Sequence, residues 1–404
     1  MPRPIQAVIS TQAMAHNLAQ VQERIRTLQS QIAASVASQE KTLSCLPSVK
    51  AFAVIKANAY GHGTLNALKG FAQADGLGMI DIADAVLCRD NGWTKPILLL
   101  EGFFHAEDIE VLQHYHITTA IHSRYQLELL QQAKSVGKPI DVMMKFNTGM
   151  NRLGFKSYQA LDILTDLKHL QVQGIVGRIG CMSHFANADL DQDYVVQAAE
   201  DILGVKHLFT DGPLSICNSA ASVRYPQLTL QHHENWVRPG ICLYGSVPFD
   251  TTPIALTAEG NITATASVID LPDVQFQPTM TLIADIIAVQ DIKAGDSVGY
   301  GSTFTADKPM RVAVIACGYA DGYPRSAPFG TPVTVDGVPA HVVGRVSMDM
   351  MNIDISHIPS AGIGSKVVLW GKGGPSIDEV ADKAGRIGYE MMCNLARRVP
   401  LKVV

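Results

Sequence analysis

Over its first 245 residues or so the chain alternates two patterns, short apolar runs of strand length and longer mixed stretches of helix length. The apolar runs fall at 51–55, 77–81, 97–101, 118–122, 140–145, 180–184, 214–217 and 236–238. Segments such as 123–135 and 191–210 lie between them and suit helices. About eight strands alternating with helices predict a parallel (β/α)8 barrel. A doubly wound open sheet is the rival. It ranks second because no Gly-x-Gly-x-x-Gly follows an early strand.

Beyond Gly245 the texture changes. Short β-rich runs follow one another at 280–289, 310–317, 332–335 and 340–344, and helical periodicity returns only near the C-terminus. Asp336-Gly337, between two of these runs, is a strong hairpin signal. A linker is expected at 252–263 or nearby. The fold class is therefore α/β, with a barrel domain over 1–250 and a mostly-β domain over 251–404. The stretch 27–48, rich in Gln, Ser and Ala, reads as a helix extended into a surface loop.

Composition narrows the partners. Of 404 residues 17% are charged and 47% hydrophobic, which excludes a long disordered polyelectrolyte. A net charge of −5 argues against nucleic acid or an anionic membrane surface. The 7 cysteines are scattered with no Cys-x-x-Cys, as expected of reduced thiols and not of a disulfide framework or a metal site. The start, Met1-Pro2-Arg3-Pro4-Ile5-Gln6, lacks a basic segment followed by an apolar run, and no apolar run reaches membrane-spanning length. A cytoplasmic location is expected.

Several residues at predicted strand ends can carry chemistry. Lys56 closes the run Ala51-Phe52-Ala53-Val54-Ile55. At a barrel mouth among apolar neighbours, its ammonium form is disfavoured, which suits a Schiff-base nucleophile. A lysine that merely caps a strand is the plainer alternative. Asn218-Ser219 and Arg238-Pro239-Gly240-Ile241 end the seventh and eighth strands, where such barrels often bind phosphate. Taken one at a time, ordinary turn and helix-cap chemistry explains them better, and it is the pair at the two expected loops that favours phosphate. His184, ending the sixth strand, can stack on a ring or shuttle a proton, or simply be a satisfied core histidine. Arg152 can fork onto a carboxylate or form a surface ion pair. His232-His233-Glu234 is a poor metal site, because adjacent side chains rarely converge on one ion.

One long motif and several shorter ones occur in an order that resembles the alanine racemases, pyridoxal-phosphate enzymes of fold type III. They are Ala53-Val54-Ile55-Lys56-Ala57-Asn58-Ala59-Tyr60-Gly61-His62-Gly63, Asn147-Thr148-Gly149-Met150-Asn151-Arg152-Leu153-Gly154 and Ser183-His184-Phe185-Ala186-Asn187-Ala188-Asp189. Val237-Arg238-Pro239-Gly240-Ile241, Gly299-Tyr300-Gly301, Gly318-Tyr319-Ala320-Asp321-Gly322 and Met348-Asp349 follow.

The resemblance implies that Lys56 holds pyridoxal 5'-phosphate as an internal aldimine. Tyr60, Ser219, Gly240 and Ile241, with Asn218 adjacent, match phosphate-contacting positions, and His184 matches a residue lining the ring. Arg238 matches the residue facing the pyridine nitrogen. At ~4 Å and an effective dielectric near 20 its charge opposes ring protonation by about 4 kcal/mol. That favours racemisation over transamination. Lys56 and Tyr300 match the two bases, and in the family the tyrosine comes from the other subunit of a homodimer. Arg152 and Met348 match positions near the substrate carboxylate and the catalytic tyrosine, and Tyr319 matches a guard of the access corridor. Lys145 matches a lysine that in many members carries a carbamate. The implied activity is two-base interconversion of L- and D-alanine, supplying D-alanine for peptidoglycan. A same-fold racemase preferring serine or a broader range is the alternative. Three departures stand out: Asn147 replaces a usual Asp, Ser347 a usual Cys, and no tyrosine directly precedes Arg398-Val399-Pro400.

Overall fold

The computed structural model describes residues 3–38, 47–190, 192–247 and 274–404. It opens with strand β1, Ile5–Ile9, and helix α1, Thr11–Ser38. The eight strands expected next are all present: β2 Ser48–Val54, β3 Gly76–Met79, β4 Ile97–Leu99, β5 Thr118–Ile121, β6 Ile140–Lys145, β7 Val176–Met182, β8 Leu214–Ser215 and β9 Glu234–Val237. Each pairs in parallel with the next, and β9 closes on β2 through Ser48 opposite Glu234 and Ala51 opposite Val237. Closure settles the choice between barrel and open sheet. The predicted helical segments hold helices Arg124–Gln132 and Gln192–Leu203.

The strands read as unbroken apolar runs because a parallel barrel buries both faces of its sheet. Phe52, Leu98, Ala120, Met143, Met182 and Trp236 cluster together, with the rings of Phe52 and Trp236 stacked 4.0 Å apart. Each large apolar side chain so buried contributes roughly 1.5–3 kcal/mol. At the N-terminal ends of the strands Glu234 accepts from Lys50 Nζ at 3.1 Å, Arg178 Nη2 at 2.7 Å and Trp236 Nε1 at 3.0 Å. One carboxylate thus ties β2, β7 and β9.

The second sheet contains β10 Met280–Ile292, β13 Met310–Ile315, β14 Pro332–Val335, β15 Val338–Val343, β16 Met351–Asp354, β17 Lys366–Trp370 and β18 Leu401–Val403, while β11 Ser297–Val298 and β12 Phe304–Thr305 form a separate hairpin. The four runs expected from the sequence reappear as β10, β13, β14 and β15. Asp336 and Gly337 join β14 to β15 with φ of 47° and 87°. Two successive positive φ angles are what a tight type I′ turn demands.

β1 has Ile5, Ala7 and Ile9 buried in alternation. It pairs antiparallel with β10 and parallel with β18. Residues 5–9, which the sequence groups with the barrel, therefore lie in the second sheet. α1 returns the chain to the barrel, and its buried Asn17 donates to Leu243 O at 3.1 Å and Gln277 O at 2.8 Å. The linker expected at 252–263 lies outside the described residues, as do 39–46 of the Gln- and Ser-rich stretch. Among the described residues no helix is long and apolar enough to cross a membrane.

Candidate active site

Lys56 stands at the C-terminal end of β2, where barrel enzymes place their chemistry. The four residues after it are all left-handed: Ala57, Asn58, Ala59 and Tyr60 have φ of 55°, 52°, 53° and 51°. For residues with a Cβ this costs about 1–2 kcal/mol each. Local hydrogen bonds offset the strain. Ala59 N donates to Ile55 O at 2.9 Å and Gly61 N to Ala57 O at 3.1 Å, and Asn58 Oδ1 accepts from Thr64 N at 3.0 Å. The turn sends the buried Tyr60 ring across to β9: a Cβ added to Gly240 would sit 2.7 Å from Tyr60 Oη. Gly240 N in turn donates to Ser219 Oγ at 2.8 Å. Asn218 caps the helix Ser219–Arg224 by accepting from Ala221 N at 3.0 Å. Loops after β2, β8 and β9 thus converge.

Lys56, Tyr60, His184, Asn218, Ser219, Arg238, Gly240 and Ile241 all line one cavity of about 310 Å³, which Lys145 and Arg152 help to enclose. Four cations, Lys56, Lys145, Arg152 and Arg238, face it against two carboxylates, Glu101 and Asp189. Burial, then Arg152, lowers the pKa of Lys56. Burial and the Arg238 and Arg152 charges bring Lys145 down to about 8, and its Nζ donates to Leu100 O at 3.0 Å. Arg238 is buried, and burial lowers it to about 10, so it stays cationic at neutral pH. Its partners are uncharged: Ser215 Oγ at 2.6 Å, Ser183 O at 2.5 Å and His184 Nδ1 at 3.4 Å. Among the described residues no carboxylate pairs with Arg238 or Arg152. Burial, then Arg238, pushes His184 well below the usual imidazole range, so its ring is neutral. Asn147 Oδ1 accepts from Gly149 N at 3.2 Å and Asn151 N at 3.0 Å, shaping the loop that carries Arg152. A carboxylate there could accept the same two bonds, so the usual Asp is replaced without losing this contact.

Three expected residues lie outside this cavity. Tyr300 projects from the turn Tyr300–Ser302 and is 71% exposed, and Met348 is 53% exposed. Tyr319 lies on the loop beside Met348, paired through Tyr319 N to Ser347 O at 3.0 Å and Ala320 N to Met348 O at 2.9 Å. Conversely, the structure adds Tyr389, which the sequence reading missed. From the helix Gly388–Cys393 its ring stands 5.9 Å from that of Tyr60, inside the cavity wall. No tyrosine directly precedes Arg398-Val399-Pro400, whereas Tyr389 reaches the cavity from the preceding helix. A Gly-Tyr pair opening a helix, as at Gly388-Tyr389, was the available signal. Elsewhere, His232 Nε2 lies 3.1 Å from the carbonyls of Phe209 and Gly212. Among the described residues no His, Cys, Asp or Glu cluster could hold a metal.

A closed parallel barrel carrying a desolvated lysine in an anion-attracting cavity at its strand ends, with a β-rich unit behind it, defines a barrel enzyme with an amine-centred site. Comparison with known proteins narrows the class. The family described as alanine racemase, N-terminal domain, matches residues 37–248, and the alanine racemase C-terminal domain matches 279–403. An alanine racemase of Bordetella petrii is 48% identical over 404 residues, covering 100% of this chain and 99% of that protein. One of Paraburkholderia phytofirmans is 45% identical over the same length, with the same coverage. The crystal structure of the biosynthetic alanine racemase from Pseudomonas aeruginosa superposes with a TM-score of 0.81 at 34% identity, covering 100% of this chain and 99% of that one. The structure of alanine racemase from Acinetobacter baumannii gives 0.79 at 33%, covering 100% of both chains. The chain belongs to the alanine racemase family, pyridoxal-phosphate-dependent isomerases.

Proposed function

We propose that this protein interconverts L- and D-alanine, with pyridoxal 5'-phosphate held on Lys56. The observation that carries the reading is the single cavity uniting a desolvated lysine, a buried guanidinium without a carboxylate, and the wall formed by Tyr60, Ser219 and Gly240. The residues present fit the cofactor. An excess of cations receives a phosphate, and the missing Cβ of Gly240 leaves backbone open beside the Tyr60 hydroxyl. When bound, pyridoxal phosphate supplies the electron-withdrawing conjugation that acidifies the Cα–H of an amino acid.

The chain's own residues then do the rest. Lys56, its ammonium form disfavoured, takes or returns the α-proton on one face. Tyr300 serves the opposite face from the other protomer of a homodimer, as its exposure on its own chain supports. His184 Nδ1 accepts from Arg238, which leaves Nε2–H to donate to that phenol oxygen. Arg152 and Met348 orient the substrate carboxylate, and Tyr319 guards the corridor. The neutral fraction of Lys145 takes up CO2 and loses one proton to solvent, giving a carbamate in the cavity that Arg152 also lines. The D-alanine feeds peptidoglycan synthesis in the cytoplasm.

The test is exchange of the α-proton of L-alanine in D2O with a chiral readout. Deuterated D-alanine is expected. No exchange with alanine, but exchange with serine in the same assay, would overturn the substrate assignment.

A further inference from the structure

His62 is fully buried and plays no part in the chemistry above. Its Nδ1 lies 3.0 Å from Ala59 O and 2.9 Å from Tyr60 O, the carbonyls of two residues in the left-handed turn. Carbonyls only accept, so Nδ1 carries the proton. Burial brings the pKa of His62 to about 4, so the ring is neutral and Nε2 must accept. The group facing Nε2, at 2.8 Å, is the hydroxyl of Thr279. Thr279 directly precedes β10 and begins the stretch matched by the C-terminal domain family. Its hydroxyl has one proton for two acceptors, His62 Nε2 and Tyr244 O at 2.9 Å, and that carbonyl also receives the Thr279 N–H at 3.4 Å. The segment before Thr279 has little freedom, since a Cβ on Gly245 would meet Gln277 O at 2.2 Å.

We infer that His62 and Thr279 form a latch through which the β-rich unit holds the strained turn that presents Lys56 and Tyr60, making both positioning residues for the cofactor. A turn of four left-handed residues persists only where its surroundings over-determine it. Here one imidazole gathers two of its carbonyls, and the second unit supplies the hydroxyl that pairs the ring's remaining nitrogen. The inference rests on the reading that Lys56 and Tyr60 hold pyridoxal phosphate.

Thr279→Val keeps the shape and removes the donor, and Thr279→Ser restores it. Two quantities are measured: the dissociation constant of pyridoxal phosphate from the apoprotein, by absorbance titration, and amide hydrogen exchange across the chain. The valine variant is expected to bind the cofactor roughly tenfold more weakly. Its Gly61 and Gly63 amides should exchange roughly tenfold faster while β10 keeps its protection. The serine variant should match the parent within about twofold. Valine binding the cofactor as tightly as the parent, or loss of protection spread equally over β10, would overturn the latch. If the parent itself bound no cofactor, the site reading would fail separately, and the exchange data would still decide the latch. Should the valine variant not fold, Thr279→Ala against Thr279→Ser makes the same comparison.

Discussion

Arg238 is held by a serine hydroxyl, a carbonyl and a neutral imidazole, so nothing nearby cancels its charge. A cation kept bare in a low-dielectric wall acts at full strength on whatever it faces. In the proposed placement of the cofactor, with its pyridine nitrogen toward Arg238, this charge would oppose protonation there and keep the exchanged proton on Cα. Arg238→Glu reverses that sign. We expect pyruvate formed per racemisation event to rise at least roughly tenfold, since about 1.4 kcal/mol already changes a ratio by ten. Measuring pyruvate and both alanine enantiomers in one reaction checks it, and an unchanged ratio would remove the charge argument.

At the scale of elements, the barrel is braced at both ends by different means. The C-terminal ends carry the strained turn and the cation-rich cavity. The N-terminal ends carry the Glu234 bridge among β2, β7 and β9. Burial by itself would raise the pKa of Glu234, but bonds from Arg178, Trp236 and Lys50 win and hold it near 2. A carboxylate depressed below its unfolded value stabilises the fold fully above that value and loses its effect as pH falls through the folded one. Its contribution is thus complete above about 4.5 and fades toward 2. Glu234→Gln should melt a few degrees lower than the parent at pH 7. The gap should close as the pH of the melt is taken from 4.5 toward 2. A gap constant over that range would mean the bridge acts by packing and not by charge.

The whole molecule poses a different problem, because its expected bases do not meet within one chain. Lys56 lines the cavity, and Tyr300 is exposed on the β-rich unit. In a two-fold dimer each protomer would give the residue the other lacks. Lys56→Ala and Tyr300→Phe, each nearly inactive alone, should then complement. Dissociated and reassociated at equal concentration, half the dimers are mixed, and each mixed dimer holds one intact pair. Recovery of about a quarter of parental activity is expected from that pairing. No recovery from a mixture shown by mass spectrometry to contain mixed dimers would place both bases in one chain.

The barrel strands were legible because parallel strands buried on both faces must be continuously apolar. The hairpin at Asp336-Gly337 was legible because its backbone demands residues tolerant of positive φ. The candidate site was legible in pieces: ordered motifs named the residues, but no pattern in the chain joins residue 56 to residue 240. The place of β1 was hidden because five residues of alternating burial carry no mark of a partner at β10. Tyr389 was hidden because its neighbour across the cavity, Tyr60, lies at the far end of the sequence. The left-handed turn was hidden because Ala57, Ala59 and Tyr60, three of its four residues, are not types that favour positive φ. Hydrophobic periodicity and motif chemistry are local, so the sequence by itself determined the elements, their order and the kinds of side chain at the strand ends. Which of those side chains share a cavity, which carry a charge without a partner, and how the second unit grips the first depend on contacts between distant residues, and only the tertiary structure decided them.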